Sequence, residues 1–187
     1  SVTGASIAVE TSRYQRYERF SEQVAWVLAQ VHEIVSFPAV TRLGLRYIDE
    51  IEVDDADEVP DWEPWINKDL LVGAMVGEYR TREYLTSLTL NIDTFRRINL
   101  RYGRVDQPVV DPNGVLRILD SPAGSYFLLD IDSFWEPSTD EFKEFHASEV
   151  LAVTEELHEP IRTIFERALT QQLRERFAAT PSDEDPT

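Results

Sequence analysis

The sequence predicts an α+β fold in which an antiparallel or mostly antiparallel sheet of about five or six strands carries two long helices on one face. Three patterns predict it. Residues 41–51 (TRLGLRYIDEI) and much of 84–134 alternate apolar and polar side chains with period two, as half-buried strands do. Turn signals divide the second stretch at hairpin spacing. Apolar residues at helical spacing occupy two long stretches outside it, 14–35 and 138–177.

Taken in order, residues 6–11 alternate weakly and read as a short strand. Ser12 stands three residues before Gln15, the spacing of a capping box, and Tyr17, Phe20, Val24, Val27, Leu28, Val31, Ile34 and Val35 recur at helical intervals until Pro38 stops the pattern. If the first strand pairs parallel with the next, that helix makes a right-handed crossover. The next strand places Leu43, Leu45, Tyr47 and Ile51 on one face, with Arg42, Gly44 and Arg46 on the other. Residues 54–63 (DDADEVPDWE) read as an acidic connection that cannot bury itself, and 65–75 as a short helical turn. Neither side of that connection holds enough strands to close a core alone, so no domain boundary falls there.

Further on, Thr86, Leu88, Leu90 and Ile92 alternate with Ser87, Thr89 and Asn91, and residues 97–104 (RINLRYGR) alternate again. Asp111-Pro112-Asn113-Gly114 suits a turn, and the runs 115–119 and 125–134 flank Ser121-Pro122-Ala123-Gly124 at hairpin spacing. Ser138 and Glu141 form a second capping-box spacing ahead of a long helix carrying Phe142, Phe145, Val150, Leu157, Ile161, Ile164, Phe165, Ala168, Leu169, Leu173 and Phe177. Pro160 is expected to kink or divide it near Glu159. Residues 1–179 are read as one domain and the polar residues 180–187 (TPSDEDPT) as a disordered acidic tail; no internal repeat is visible.

With 187 residues, 42% of them hydrophobic, the chain can bury a core of its own. Its 35 acidic against 18 basic side chains give a net charge of −17, which repels phosphate backbones and anionic headgroups and disfavours nucleic acid and membrane partners. A basic protein or a second copy of the chain is the easier partner. No apolar run suits a membrane span, the start Ser1-Val2-Thr3-Gly4 is unlike a signal peptide, and the absence of cysteine suits a reducing compartment, so a soluble, cytoplasmic protein is expected. The first residue is not Met, so a fragment of a longer chain is expected.

The run Arg42-Leu43-Gly44-Leu45-Arg46-Tyr47-Ile48, the strand Leu129-Asp130-Ile131-Asp132 and the closing segment 157–177 (LHEPIRTIFERALTQQLRERF) resemble a sporadically distributed family of uncharacterised bacterial and archaeal proteins. The likeness spans residues 7–177. Members are usually longer at the amino end, and Asp49 stands where asparagine is common. The resemblance implies a shared fold and carries over no catalytic residue; function has to be argued from a site.

Asp130 and Asp132 project from one strand face, as a cation site or an acid/base pair would need. They equally suit cross-strand pairing with Arg42 and Arg46, or with Arg97 and Arg101, which also share a strand face. The same arginines are suited to gripping a carboxylate or phosphate ligand. Glu155 and His158 have the spacing of half a di-iron site but lack a second copy, and neither His146 nor His32 completes a metal set, so no metal and no cofactor are expected. No nucleophile elbow, P-loop or dinucleotide fingerprint appears, and no catalytic residue is assigned. Trp62 and Trp65, beside the acidic connection, are candidates for a partner anchor, although either could simply cover the core edge. The reading that results is a non-enzymatic binding or protein-interaction domain. The alternatives are an enzyme or small anionic-ligand binder using the arginine and aspartate face, and an acidic, antitoxin-like inhibitor of a basic protein.

Overall fold

The computed structural model describes residues 6–34, 39–54, 56–106, 125–137 and 146–179. They form helix α1 (Tyr17–Ile34), strand β1 (Leu43–Ile51), a two-residue hairpin of β2 (Met75–Val76) and β3 (Tyr79–Arg80), then β4 (Thr86–Asn91), β5 (Arg96–Val105), β6 (Tyr126–Trp135), and helices α2 (Ala147–Ala168) and α3 (Gln171–Ala179). The class is α+β. The main sheet has the order β1-β6-β5-β4 with every pair antiparallel, so among the described residues it holds four strands, with the hairpin separate. The expected turn at 111–114, the strand at 115–119, the hairpin turn at 121–124, the capping box at 138–141 and the tail at 180–187 lie outside the described residues.

The register assigns each side chain to a face, because residues directly opposite one another point the same way. Leu45 and Ile51 of β1 lie level with Ser133 and Phe127 of β6, and these with Ile98 and Arg104 of β5. On that face Phe127, Leu129, Ile131, Ile98, Leu100 and Tyr102 pack with Leu157 and Ile161 of α2, forming the core. Helix α2 lies over β1 and β6, and α1 packs chiefly against α2.

Four expectations are corrected. Residues 6–11 form no strand and hold only an isolated bridge at Ile7. Helix α1 starts at Tyr17, not after Ser12: the Arg13 amide donates to Thr11 Oγ1 (3.1 Å), a local turn that competes with helix. The acidic connection does bury part of itself. Val53, Ala56, Val59 and Trp62 recur every three residues, and a 3-10 turn at Val59–Trp62 directs them inward while Glu58 and Asp61 receive the Arg80 guanidinium. Lastly, Pro160 does not divide α2, which runs on to Ala168. Burial of Leu157 and Ile161 on either side of Pro160 offsets one missing amide bond. The helix ends where the Asn67 amide takes the Ala168 carbonyl (2.8 Å) and Leu169 turns extended to bridge Ile66.

Candidate functional site

The face of the sheet away from the core carries Gly44, Arg46, Ile48 and Glu50 of β1, Asp130, Asp132 and Phe134 of β6, Arg97, Asn99 and Arg101 of β5, and Ser87, Thr89 and Asn91 of β4. Strand alternation alone brings these residues together from four segments of the chain. Arg46 grips Asp130 with both ends of its fork, Nε to Oδ1 and Nη2 to Oδ2, each at 2.8 Å. Arg101, opposite Asp130 on the next strand, brings Nη1 to 3.5 Å from the same Oδ2. One step along, Arg42 donates Nη2 to Asp132 Oδ2 at 3.2 Å, and its guanidinium carbon lies 4.7 Å from the centre of the Phe134 ring. Arg97 stands 3.8 Å from Glu136.

Asp130 is only 3% exposed, whereas the four arginine side chains are between 36% and 48% exposed. The carboxylate is therefore a buried anchor with guanidinium groups spread above it. Its hydrogen bonds outweigh burial and hold Arg46 more firmly charged than usual. The charge pairing expected of Arg42 and Arg46 is present, and the pairs fix the register of the central strands. Four guanidinium groups face Asp130, Asp132 and Glu136 here, in a chain that elsewhere carries a large acidic excess. Such a face can bind carboxylate or phosphate through directed N–H donors. It offers poor acid–base chemistry, because guanidinium keeps its protons.

Trp62 is fully buried, with its ring centre 5.7 Å from that of Phe127, and offers no exposed indole to a partner. The 3-10 turn that buries its neighbours buries it too. Trp65 is half-buried, with the Arg176 guanidinium 5.4 Å from its ring centre. Among the described residues no three His, Asp or Glu side chains gather closely enough to hold a metal ion, and no helix is long and apolar enough to cross a membrane.

A second cluster, matching no sequence motif, lies on the core face at the β1 edge. Tyr47 donates its hydroxyl to Tyr14 (2.9 Å), and His158 of α2 stacks on Tyr17 of α1 with ring centres 3.9 Å apart. Asp49 sits close by with Oδ2 buried and unbonded. Burial, then the Asp130 charge, pushes the Asp49 carboxyl up to about 6. Burial likewise raises the Tyr14, Tyr17 and Tyr47 hydroxyls, while burial and then Arg162 lower the His158 imidazole. Through these contacts the cluster ties the amino-terminal segment and α1 to the sheet and to α2. A signal existed in the sequence: Asp49 has the parity of Leu45, Tyr47 and Ile51, a carboxylate at a core position.

Comparison with protein-family models, with curated proteins and with solved structures found no match.

Proposed function

We propose that this chain is a non-enzymatic interaction domain, of the sporadically distributed family it resembles, whose contact surface is the arginine-bearing face of the sheet. The observation that supports this is the contrast between Asp130, buried and gripped from two strands, and the half-exposed guanidinium groups of Arg42, Arg97 and Arg101 around it. A carboxylate-rich partner would find directed donors there. A cytoplasmic, bacterial or archaeal setting belongs to the same reading.

A small anionic ligand is the second reading. It is favoured by the loose engagement of Arg97 and Arg101, whose nearest carboxylates stand at 3.8 and 3.5 Å and leave most of their donors for a guest. The third reading, an acidic inhibitor of a basic protein, loses its expected Trp62 anchor and keeps the half-buried Trp65 and the acidic surface of α2.

Isotope-labelled protein titrated with poly-glutamate, and separately with inorganic phosphate, tests the proposal through the arginine Nε–H signals in NMR spectra. The signals of Arg42, Arg97 and Arg101 are expected to move with poly-glutamate, and that of Arg42 to stop responding in an Arg97→Ala/Arg101→Ala variant. Movement with phosphate alone would favour the second reading. Shifts confined to α2, or none, would overturn both.

A further inference from the structure

We propose that β4 is an open sheet edge that receives an extended acidic peptide as an added strand, with Arg97 and Arg101 gripping carboxylates spaced four residues apart. This rests on the arginine face being the contact surface and names the partner that fits it.

Among the described strands β4 is the outer one, so one row of its backbone donors and acceptors has no described strand beside it. Residues 87–91 are all exposed, and Thr86–Asn91 (TSLTLN) has no charge, proline or bulge to discourage pairing. The opposite edge, β1, carries Arg46, Asp49 and Glu50 within its span. An exposed, uncharged edge in a strongly charged chain is the feature that calls for a partner.

The register says what that partner must be. Ser87 lies opposite Arg101, Thr89 opposite Asn99 and Asn91 opposite Arg97. Between each guanidinium and the open edge stands one small polar side chain. An added strand would run about 5 Å beyond β4 and about 10 Å from β5. An extended arginine and an incoming glutamate can close that gap between them across Ser87 or Asn91. The carboxylates must sit four residues apart, as Arg97 and Arg101 do, to stay on the same face. On the other face Leu88 and Leu90 are about two-fifths exposed and would take apolar side chains from the guest. The fitting pattern is acidic, apolar, polar, apolar, acidic; it reads the same in both directions and so suits either strand polarity. A second copy of β4 fits worse. Antiparallel pairing about Thr89 would place Asn91 and Ser87 where carboxylates are needed, so it would bring no anion to the Arg97 and Arg101 groups of either copy.

The test uses two labelled peptides of equal composition, read by fluorescence anisotropy. One has the core Glu-Leu-Thr-Leu-Glu; the other has Leu-Leu-Thr-Glu-Glu, whose adjacent carboxylates point to opposite faces. The first is expected to bind about tenfold more tightly or better, to weaken by a similar factor in Arg97→Ala/Arg101→Ala, and to weaken when alternate peptide amides are methylated. A thermal melt of the variant, expected to stay near the parent because both side chains are part-exposed and Arg46 still engages Asp130, checks that it is folded. Equal binding of the two peptides, with the arginine signals still moving under poly-glutamate, would overturn strand addition and leave the arginine face standing. Failure of every anion to bind would overturn both. Concentration-dependent self-association lost in Leu88→Lys would name a second copy as the occupant and overturn the acidic peptide.

Discussion

Asp49 holds a carboxylate at a position that strand parity gives to the core, and its ionisation is where the two faces of the sheet conflict. Its folded-state value of about 6 lies above the ordinary 3.8, so the folded chain holds this proton more tightly than the unfolded one. The resulting stabilisation is complete below about pH 4 and is lost as the pH rises through about 6. Asp49→Asn removes the ionisation. It is expected to raise stability by about 1–2 kcal/mol at pH 7 to 8, less than the full linkage value because the side chain is not wholly enclosed, and to change little at pH 4. Thermal melts across that range check it; an equal effect at both ends would mean packing and not charge is responsible. On the other face, Arg46→Ala strands the buried Asp130 carboxylate and is expected to cost about 2 kcal/mol. Arg42→Ala, which removes a more exposed pair, should cost less than about 1 kcal/mol. Denaturant titration compares the two, and equal losses would mean that Asp130 is not the anchor described.

Within the elements, α2 shows how apolar spacing outranks a single helix-breaking residue. Its stripe of Leu157, Ile161 and Ala168 is buried as the spacing predicts, whereas Ile164 and Phe165 only border the core. Leu157→Ala is therefore expected to cost about 2–5 kcal/mol, Phe165→Ala distinctly less than the 3–5 typical of a fully buried phenylalanine, and Glu166→Ala close to nothing. Chemical denaturation ranks the three, and a Phe165 loss exceeding that of Leu157 would overturn the packing. Strands β1, β4, β5 and β6 were legible because alternation is a local signal with a fixed period. The start of α1 was not, because Thr11 and Ser12 are equally good at making a turn and at capping a helix, and only the turn is realised. Nor was the fate of residues 54–63, where the carboxylates dominate the composition but Val53, Ala56, Val59 and Trp62 determine the conformation. The arginine and aspartate face was legible as a set of residues sharing parity. Which arginine reaches which aspartate required the strand order, since Arg46 engages Asp130 on the diagonal and not its direct neighbour Asp132.

At the scale of the molecule, charge is distributed unevenly over a fold that alternation divides into two faces. The chain carries 35 acidic and 18 basic side chains, yet the open sheet face gathers four arginines, while α2 exposes Glu149, Glu155, Glu156, Glu159 and Glu166. Some of these carboxylates are paired, as in Arg96 with Glu156 and Arg162 with Glu159 and Glu166, but such exposed pairs contribute little and weaken in salt. The net charge of −17 acts the other way, because mutual repulsion favours any state that spreads the carboxylates apart. Raising ionic strength from about 0.01 M to about 0.15 M shortens the screening length from about 30 Å to about 8 Å, which removes most of the long-range repulsion while sparing close, partly buried pairs such as Arg46 with Asp130. The repulsion is collective and the pairs are few, so added potassium chloride is expected to raise the thermal midpoint. A midpoint that falls instead would mean the surface ion pairs outweigh the charge imbalance, and Arg162→Ala, which strips two of them, would then reproduce the loss at low salt.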